Sequence, residues 1–249
     1  MSSVTDIFRH PIKAHGVERL EHVMLEAGQT MPWDRAWAVA YAGSQASESE
    51  WSKCGHFTRA ATCPGVHAIT AKLDEATGAV TLSHPDHKDL TFQPDDAAQH
   101  SGFFAWVRPL VAGNRPASDK IVKIPGRGMT DTDFPSISLN NQVSLRALSQ
   151  HMGQDLAMAR FRGNIWVDGL APFEEHDWVG KTIRIGGAVF KGIEPIGRCK
   201  ATHANPATGK RDADTLDALE RYYGHTDFGL FMEVVEPGSV SLGDALEIA

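Results

Sequence analysis

Residues 198–244 read RCKATHANPATGKRDADTLDALERYYGHTDFGLFMEVVEPGSVSLGD. A cysteine, Cys199, stands between Arg198 and Lys200, and the segment after it is broken by Asn-Pro and Thr-Gly, which marks a loop. DADTLDALERYYG has helical spacing: Asp212 or Asp214 caps its start, Leu216, Leu219 and Tyr223 form its buried stripe, and Gly224 ends it. FGLFMEVVEPGSVSLGDALEI then reads as a strand, a Pro-Gly turn, a short strand, a Gly-Asp turn and a last strand. Immediately upstream, TIRIGGAVFKGIEPIG places two more strand-like runs around Gly186-Gly187. Many short strands with few helices predict a barrel rather than a wound α/β sheet.

The same grammar extends toward the N-terminus. RFRGNIWVDG is a loop leading into a short strand. NQVSLRALSQHMG is a helix capped by Asn140 or Asn141, with Leu145, Leu148 and Met152 on one face and Gly153 closing it. Residues 111–136 are irregular, with repeated Gly, Pro and Asp, and a domain boundary is expected near them. The first hundred residues read mainly as strands. In RAWAVAYAG, Trp37, Val39 and Tyr41 share a face at period two. In HAITAKLDEATGAVTL, Ile69, Ala71 and Leu73, then Val80 and Leu82, alternate across a short DEATG loop, as in a hairpin. The expected architecture is mainly β (α+β), with one module over 1–110 and a second over 111–249.

The chain has 249 residues, a formal net charge of −7 and 42% hydrophobic residues. That supports an ample core. The acidity excludes a general nucleic-acid binder, which needs a basic face, but permits a local basic pocket. MSSVTDIFRHPIK has no apolar run of the signal-peptide kind, and no stretch reaches the length of a membrane span. Three cysteines, Cys54, Cys63 and Cys199, form no dense framework. The expectation is a cytoplasmic protein with reduced thiols and no membrane or nucleic-acid partner.

Cys199 is the first candidate for chemistry. Free cysteine is often a small buried hydrophobe, whereas positive neighbours favour the thiolate, the form that attacks and ligates metal. The charged flanks and loop setting favour the functional alternative. Cys54 and Cys63 lack a second pair at zinc-site spacing and read as structural. Lys13, Arg35, Arg59, Arg160 and Arg162 are cations that suit phosphate or flat heterocycles if they converge, and are solvated charges or halves of ion pairs if they do not. Of twelve histidines, His203 and His225 flank the cysteine loop and the helix after it. His225 reads equally as a helix C-terminal cation or a catalytic group. No phosphate loop, dinucleotide fingerprint, nucleophile elbow or H-E-x-x-H pair occurs.

The pattern from Cys199 onward resembles the end of a MOSC domain, the C-terminal module of molybdenum cofactor sulfurase. Thr202, Pro206, Thr208, Gly209, Asp212, Gly238, Val240, Gly243 and Asp244 stand at the positions of that pattern. RFRGNIWVDG and PFEEHDWVGKTIRIG resemble its preceding part, with Gly163 where the family usually has proline. PIKAHGVERLEHVMLEAG, WDRAWAV and HFTRAATCPGVHAI resemble the N-terminal β-barrel module of the amidoxime-reducing relatives, with Ala14 where serine is usual. The resemblance implies a MOSC-type β-barrel with a few helices behind a smaller N-terminal β-barrel, holding molybdenum cofactor (Mo-molybdopterin) with Cys199 as the metal's protein ligand. Lys13, Arg35 and Arg162 map onto cofactor-holding basic residues, with Arg160, Asn164 and Thr202 as further pterin contacts. Asp212 and His225 are candidates for proton handling. A soft thiolate agrees with a sulfur-rich metal centre.

The implied activity is reduction of small N-hydroxylated compounds such as amidoximes, hydroxylamines or N-hydroxylated bases. No C-x4-C-x2-C cluster motif is present, so electrons come from a separate ferredoxin or flavin reductase. The competing expectations are a sulfur carrier with a persulfide on Cys199 and a non-catalytic cofactor carrier. Pyridoxal phosphate belongs to the family only through its desulfurase relatives and is not expected to bind here.

Overall fold

Alternation of apolar and polar residues builds most of this chain into strands. In chain order the elements are β1 (Ser3–Arg9), β2 (Glu18–Leu20), β3 (His22–Leu25), β4 (Ala38–Tyr41), β5 (Thr70–Asp74), β6 (Ala79–His84), β7 (His87–Phe92), α1 (His100–Val107), β8 (Ser118–Val122) and β9 (Ile137–Asn141). They continue with α2 (Gln142–Met152), β10 (Ile165–Asp168), β11 (Thr182–Ile185), β12 (Ala188–Gly197), α3 (Thr215–Tyr223), β13 (Asp227–Glu236), β14 (Gly238–Ser241) and β15 (Leu246–Ile248). These come from a computed structural model, which describes residues 2–111, 113 and 115–248.

Eight strands form one curled sheet in the order β15-β11-β12-β13-β9-β10-β1-β2. All neighbours are antiparallel except β9 and β10. A parallel pair needs a crossover, and α2 supplies it. The helix starts at Asn141, whose side chain accepts from Val143 N, and stops at Gly153 in the left-handed region with φ 61°. Helix α3 is capped the same way, by Asp214 accepting from Asp217 N and by Gly224 at φ 74°. Its buried face is Thr215, Ala218 and Leu219, while Leu216 and Tyr223 are half-buried. The helices pack over Phe161, Trp166 and Phe228 on one side of the sheet. The other side holds Ile7, Leu139, Ile165, Phe190 and Leu230.

The N-terminal part has its own core of Ile12, Trp37, Val39, Ile69, Leu82 and Phe103. The hairpin expected at 67–82 is β5–β6, with Gly78 at φ 72° ending its loop. Both faces of β4 are buried, Val39 toward this core and Ala38 and Ala40 toward Phe57 and Val122. The stretch read as irregular, 111–136, contains β8, which pairs with β4. The two parts of the chain interlock, because β1 lies between β10 and β2 in the large sheet and β3 pairs with β14. Sequence patterning does not reveal β1: a register shift between Val4 and Asp6 breaks its period of two.

Candidate functional site

Three short segments cross where the two parts meet. Leaving β1, the chain runs through His10–Pro11–Ile12–Lys13, and Lys13 N donates to Trp37 O at 2.7 Å. Arg35 N donates to His10 O at 2.7 Å, and Met129 N donates to Arg35 O at 2.8 Å. Ala14, Trp33, Arg35 and Arg162 all hold positive φ, at 64°, 63°, 53° and 49°. For side-chain-bearing residues this region costs roughly 1–3 kcal/mol each and persists where surroundings enforce it. The strain is confined almost wholly to this crossing, since Phe173 is the other described non-glycine residue with positive φ.

The crossing brings charges together. Lys13 Nζ donates to Met129 O at 2.8 Å and pairs with the Asp131 carboxylate. Arg35 pairs with buried Asp34, and its other nitrogen reaches Arg162 O at 3.0 Å. Arg162 Nη2 donates to Gly16 O at 3.2 Å. Burial, then Arg35 beside it, pushes the Arg162 guanidinium down to about 9, and burial pushes Lys13 below its usual value against the pull of Asp131. Desolvation by its surroundings works to raise the Asp131 carboxyl, but Lys13 and Arg35 overcome it and hold it at about 2. Asp131 keeps 58% of its side chain accessible, so an ionised carboxylate faces solvent. Burial likewise opposes Asp34, which Arg35 and His10 keep ionised.

Cys199 lies across from this cluster on the loop after β12. It is exposed and extended, at φ −128° and ψ 175°. Thr202 fastens it from within: its N and Oγ1 donate to Cys199 O at 3.1 and 3.0 Å. Arg198 faces inward. Its Nη1 reaches Phe161 O at 2.6 Å, its Nη2 reaches Asn140 Oδ1 at 2.9 Å, and its Cζ lies 5.5 and 5.8 Å from the ring centres of Phe161 and Phe228. Burial lowers Arg198 to about 9, while Cys199 and Asp131 beside it favour its cationic form. Arg160 braces the turn, with Nη1 at 3.3 Å from His203 O and Nη2 at 2.6 Å from Asp212. Gly209, at φ 65°, lies against Gly65 so closely that a Cβ would come 2.8 Å from Gly65 Cα. The cysteine loop thus rests on the N-terminal part.

Of the residues singled out from sequence, Lys13, Arg35 and Arg162 form one connected cluster, and Cys199 neighbours it through Arg198 and Asp131. Arg160, Thr202 and Asn164 serve as internal braces: Asn164 Oδ1 accepts from Ser138 Oγ at 2.9 Å and its Nδ2 donates to Phe8 O at 3.2 Å. Both carboxylate oxygens of Asp212 are engaged, by Arg160 and by Asn205 Nδ2 at 2.6 Å. His225 sits apart among Phe173, His176 and Tyr223, with Nδ1 accepting from Asp227 N at 3.2 Å. Arg59 Nη1 reaches Cys54 Sγ at 3.3 Å, and Cys63 is buried.

Sequence reading missed Asp34, Asp131 and Asn140. Asp34 precedes Arg35 directly, a local signal. Asp131 lies in the segment read as irregular, and only folding brings it to Lys13, which precedes it by 118 positions. Asn140 explains the departure at Gly163. A Cβ at Gly163 would fall inside the Asn140 amide, and one at Gly229 would come 2.7 Å from Asn140 Oδ1. The two glycines make room for the side chain that orients Arg198.

The donor set suits a group carrying an anion at one end and a soft metal at the other. Three cations (Lys13, Arg35 and Arg162) meet two carboxylates, Arg198 lies behind them, and a thiol stands at the edge. Among the described residues no cluster of three or more His, Cys, Asp or Glu could hold a bare metal ion, whereas a metal that brings its own sulfur ligands needs only one. The residues fit molybdenum cofactor on these grounds.

Comparisons with known proteins place the chain. Residues 129–247 match the MOSC domain and residues 1–112 match the MOSC N-terminal beta barrel domain. The chain belongs to the MOSC family, with the N-terminal barrel in front. It is 31% identical over 124 residues to mitochondrial amidoxime-reducing component 1 of Xenopus laevis, covering 45% of this chain and 36% of that one. It is 30% identical over 132 residues to molybdenum cofactor sulfurase of Drosophila erecta, covering 49% and 17%. The chain therefore spans about a third or less of these relatives. Among solved structures it resembles the YUAD protein of Bacillus subtilis, at 12% identity and a TM-score of 0.47, covering 100% of this chain and 96% of that one. No described helix is long and apolar enough to cross a membrane.

Proposed function

We propose that this protein is a molybdenum-cofactor oxidoreductase of the cytoplasm that reduces small N-hydroxylated compounds with electrons from a separate protein. The observation that carries the reading is the meeting of Lys13, Arg35 and Arg162 with the exposed Cys199 across Asp131. When bound, the cofactor supplies a two-electron redox centre. The protein would hold it from both ends: Lys13, Arg35 and Arg162 suit its phosphate and polar ring edges, and Cys199 suits the soft metal. The substrate's N–O bond breaks, two electrons and two protons enter, and the products are the N–H compound and water. Asp131, held ionised at about 2 by Lys13 and Arg35, balances charge and is neither an acid nor a base at neutral pH. The exposure of Cys199 leaves the metal side open to substrate. Asp212 acts by bracing the loop, and His225, half-buried among Phe173, His176 and Tyr223, takes no direct role in this reading.

The exposed thiol equally suits a persulfide, which keeps sulfur transfer as the second reading. Molybdenum content and N-hydroxyl reduction, measured on wild type and Cys199→Ser from a host that makes the cofactor, separate the two. Near-stoichiometric molybdenum with turnover lost in the variant is the expected result. Cofactor without turnover supports a carrier module, and a persulfide mass on Cys199 without molybdenum supports sulfur transfer.

A further inference from the structure

The chain is acidic overall, yet the surface around Cys199 is not. Lys200 follows the cysteine, and Lys210 and Arg211 lie at the end of the same loop, all exposed. Arg211 Nη2 donates to Ala61 O at 2.7 Å, which carries the loop onto the segment that holds Lys53, Cys54 and Arg59. Lys200 and Arg211 both lie close enough to His203 to disfavour its protonation. Lys200, Lys210 and Arg211 thus lie on the cysteine loop, and Arg211 ties that loop to the stretch that carries Lys53 and Arg59. None of them forms an ion pair among the described residues. The nearby acids are otherwise occupied: Asp212 holds buried Arg160, and Asp214 caps α3 and faces His203 at 3.3 Å.

Unpaired surface cations contribute little to stability, since surface ion pairs are themselves weak. Gathered on one loop, they focus an attractive field on anionic partners and speed their encounter. From the exposed cations Lys200, Lys210 and Arg211 on the cysteine loop we infer that the electron donor is an acidic protein that docks over Cys199. The inference rests on the oxidoreductase reading. Exposed cations spread along the loop from 200 to 211 match an extended acidic surface better than a single small anion, and docking there would place the donor beside Cys199. Electron delivery adds two electrons per N–O bond broken, as balanced above.

The test uses the full chain loaded with cofactor, with reduced plant-type ferredoxin as the acidic donor and reduced methyl viologen as a cationic one. Ferredoxin-driven reduction and ferredoxin binding should both weaken about tenfold between low and physiological salt, as expected for steered association. Lys210→Glu should reduce both about threefold further. Its side chain makes no hydrogen bond or ion pair among the described residues, and a circular dichroism melt checks folding. Viologen-driven turnover should be unchanged in this variant. Ferredoxin binding that ignores salt and charge reversal overturns the inference while viologen turnover keeps the enzyme reading. A charge reversal that instead raises KM for an anionic substrate in the viologen assay also overturns it, because the loop then serves a small anion. Turnover with neither donor refutes the oxidoreductase reading, and the binding measurement still decides whether an acidic protein docks.

Discussion

Acid should destabilise this protein well before its carboxylates, Glu175 apart, protonate. His10, His15 and His67 are buried around Arg162, and burial followed by that guanidinium pushes His10 to about 3; burial with the same cation brings His15 to about 4 and His67 to about 3. In each, at least one ring nitrogen has no partner. A histidine with a lowered folded value contributes stability above its unfolded value of 6.5, lost as pH falls toward the folded one. At pH 5 the folded values hardly matter, because these rings are still neutral in the fold and charged in the unfolded chain. The loss between pH 7.5 and 5 is about 2 kcal/mol per histidine, or about 6 kcal/mol for three. Glu175 opposes it. Burial raises this carboxyl to about 7, so its penalty at pH 7.5 is relieved by about 2 kcal/mol at pH 5. The net loss is about 4 kcal/mol, a large share of a typical stability. Urea unfolding of the cofactor-free chain at the two pH values measures it. His67→Leu should flatten the dependence by about 2 kcal/mol. Equal stability at both pH values, or an unchanged slope in the variant, refutes the reasoning.

Gly163→Ala should displace the Asn140 amide, release Arg198 and destabilise by about 2 kcal/mol; thermal melts and the alkylation rate of Cys199 read the two effects. Arg160→Met removes the brace from the turn after Cys199 and leaves the carbonyl oxygens of Thr202 and His203 without its donor, at a cost of about 3 kcal/mol, with protease cutting between 199 and 212 as the local readout. Asn141→Ala deletes the α2 cap and the bonds its buried amide donates to Ala171 O and Glu175, and should cost about 3 kcal/mol in urea unfolding. Asp131→Asn removes the partner of Lys13, so cofactor retention through gel filtration should become more sensitive to salt, while Asp131→Glu should restore wild-type behaviour.

The folding of the C-terminal half was legible because its signals are local. Caps at Asn141 and Asp214, glycines at 153 and 224, and strand alternation each depend on residues within one or two turns of chain. The candidate thiol was legible for a similar reason, since the cations and the loop punctuation beside Cys199 are its immediate neighbours. Helix α1 escaped because HSGFFAWV has no polar face to give it a period, and only Phe103 and Val107 are buried.

What the sequence determined by itself was a β-rich chain with a MOSC-like cysteine loop and a set of scattered cations. Tertiary structure alone decided which cations act together. Lys13, Arg35 and Arg162 meet because β1 inserts beside β10 in the C-terminal sheet, which carries residues 10–14 to the loop before that strand. Arg160 and Arg162 stand two residues apart yet face different tasks, because Arg162 turns through a left-handed backbone toward Gly16 while Arg160 is buried against the cysteine loop. Sequence spacing cannot express that division, since it depends on which neighbour's carbonyls and carboxylates the packed backbone presents to each guanidinium.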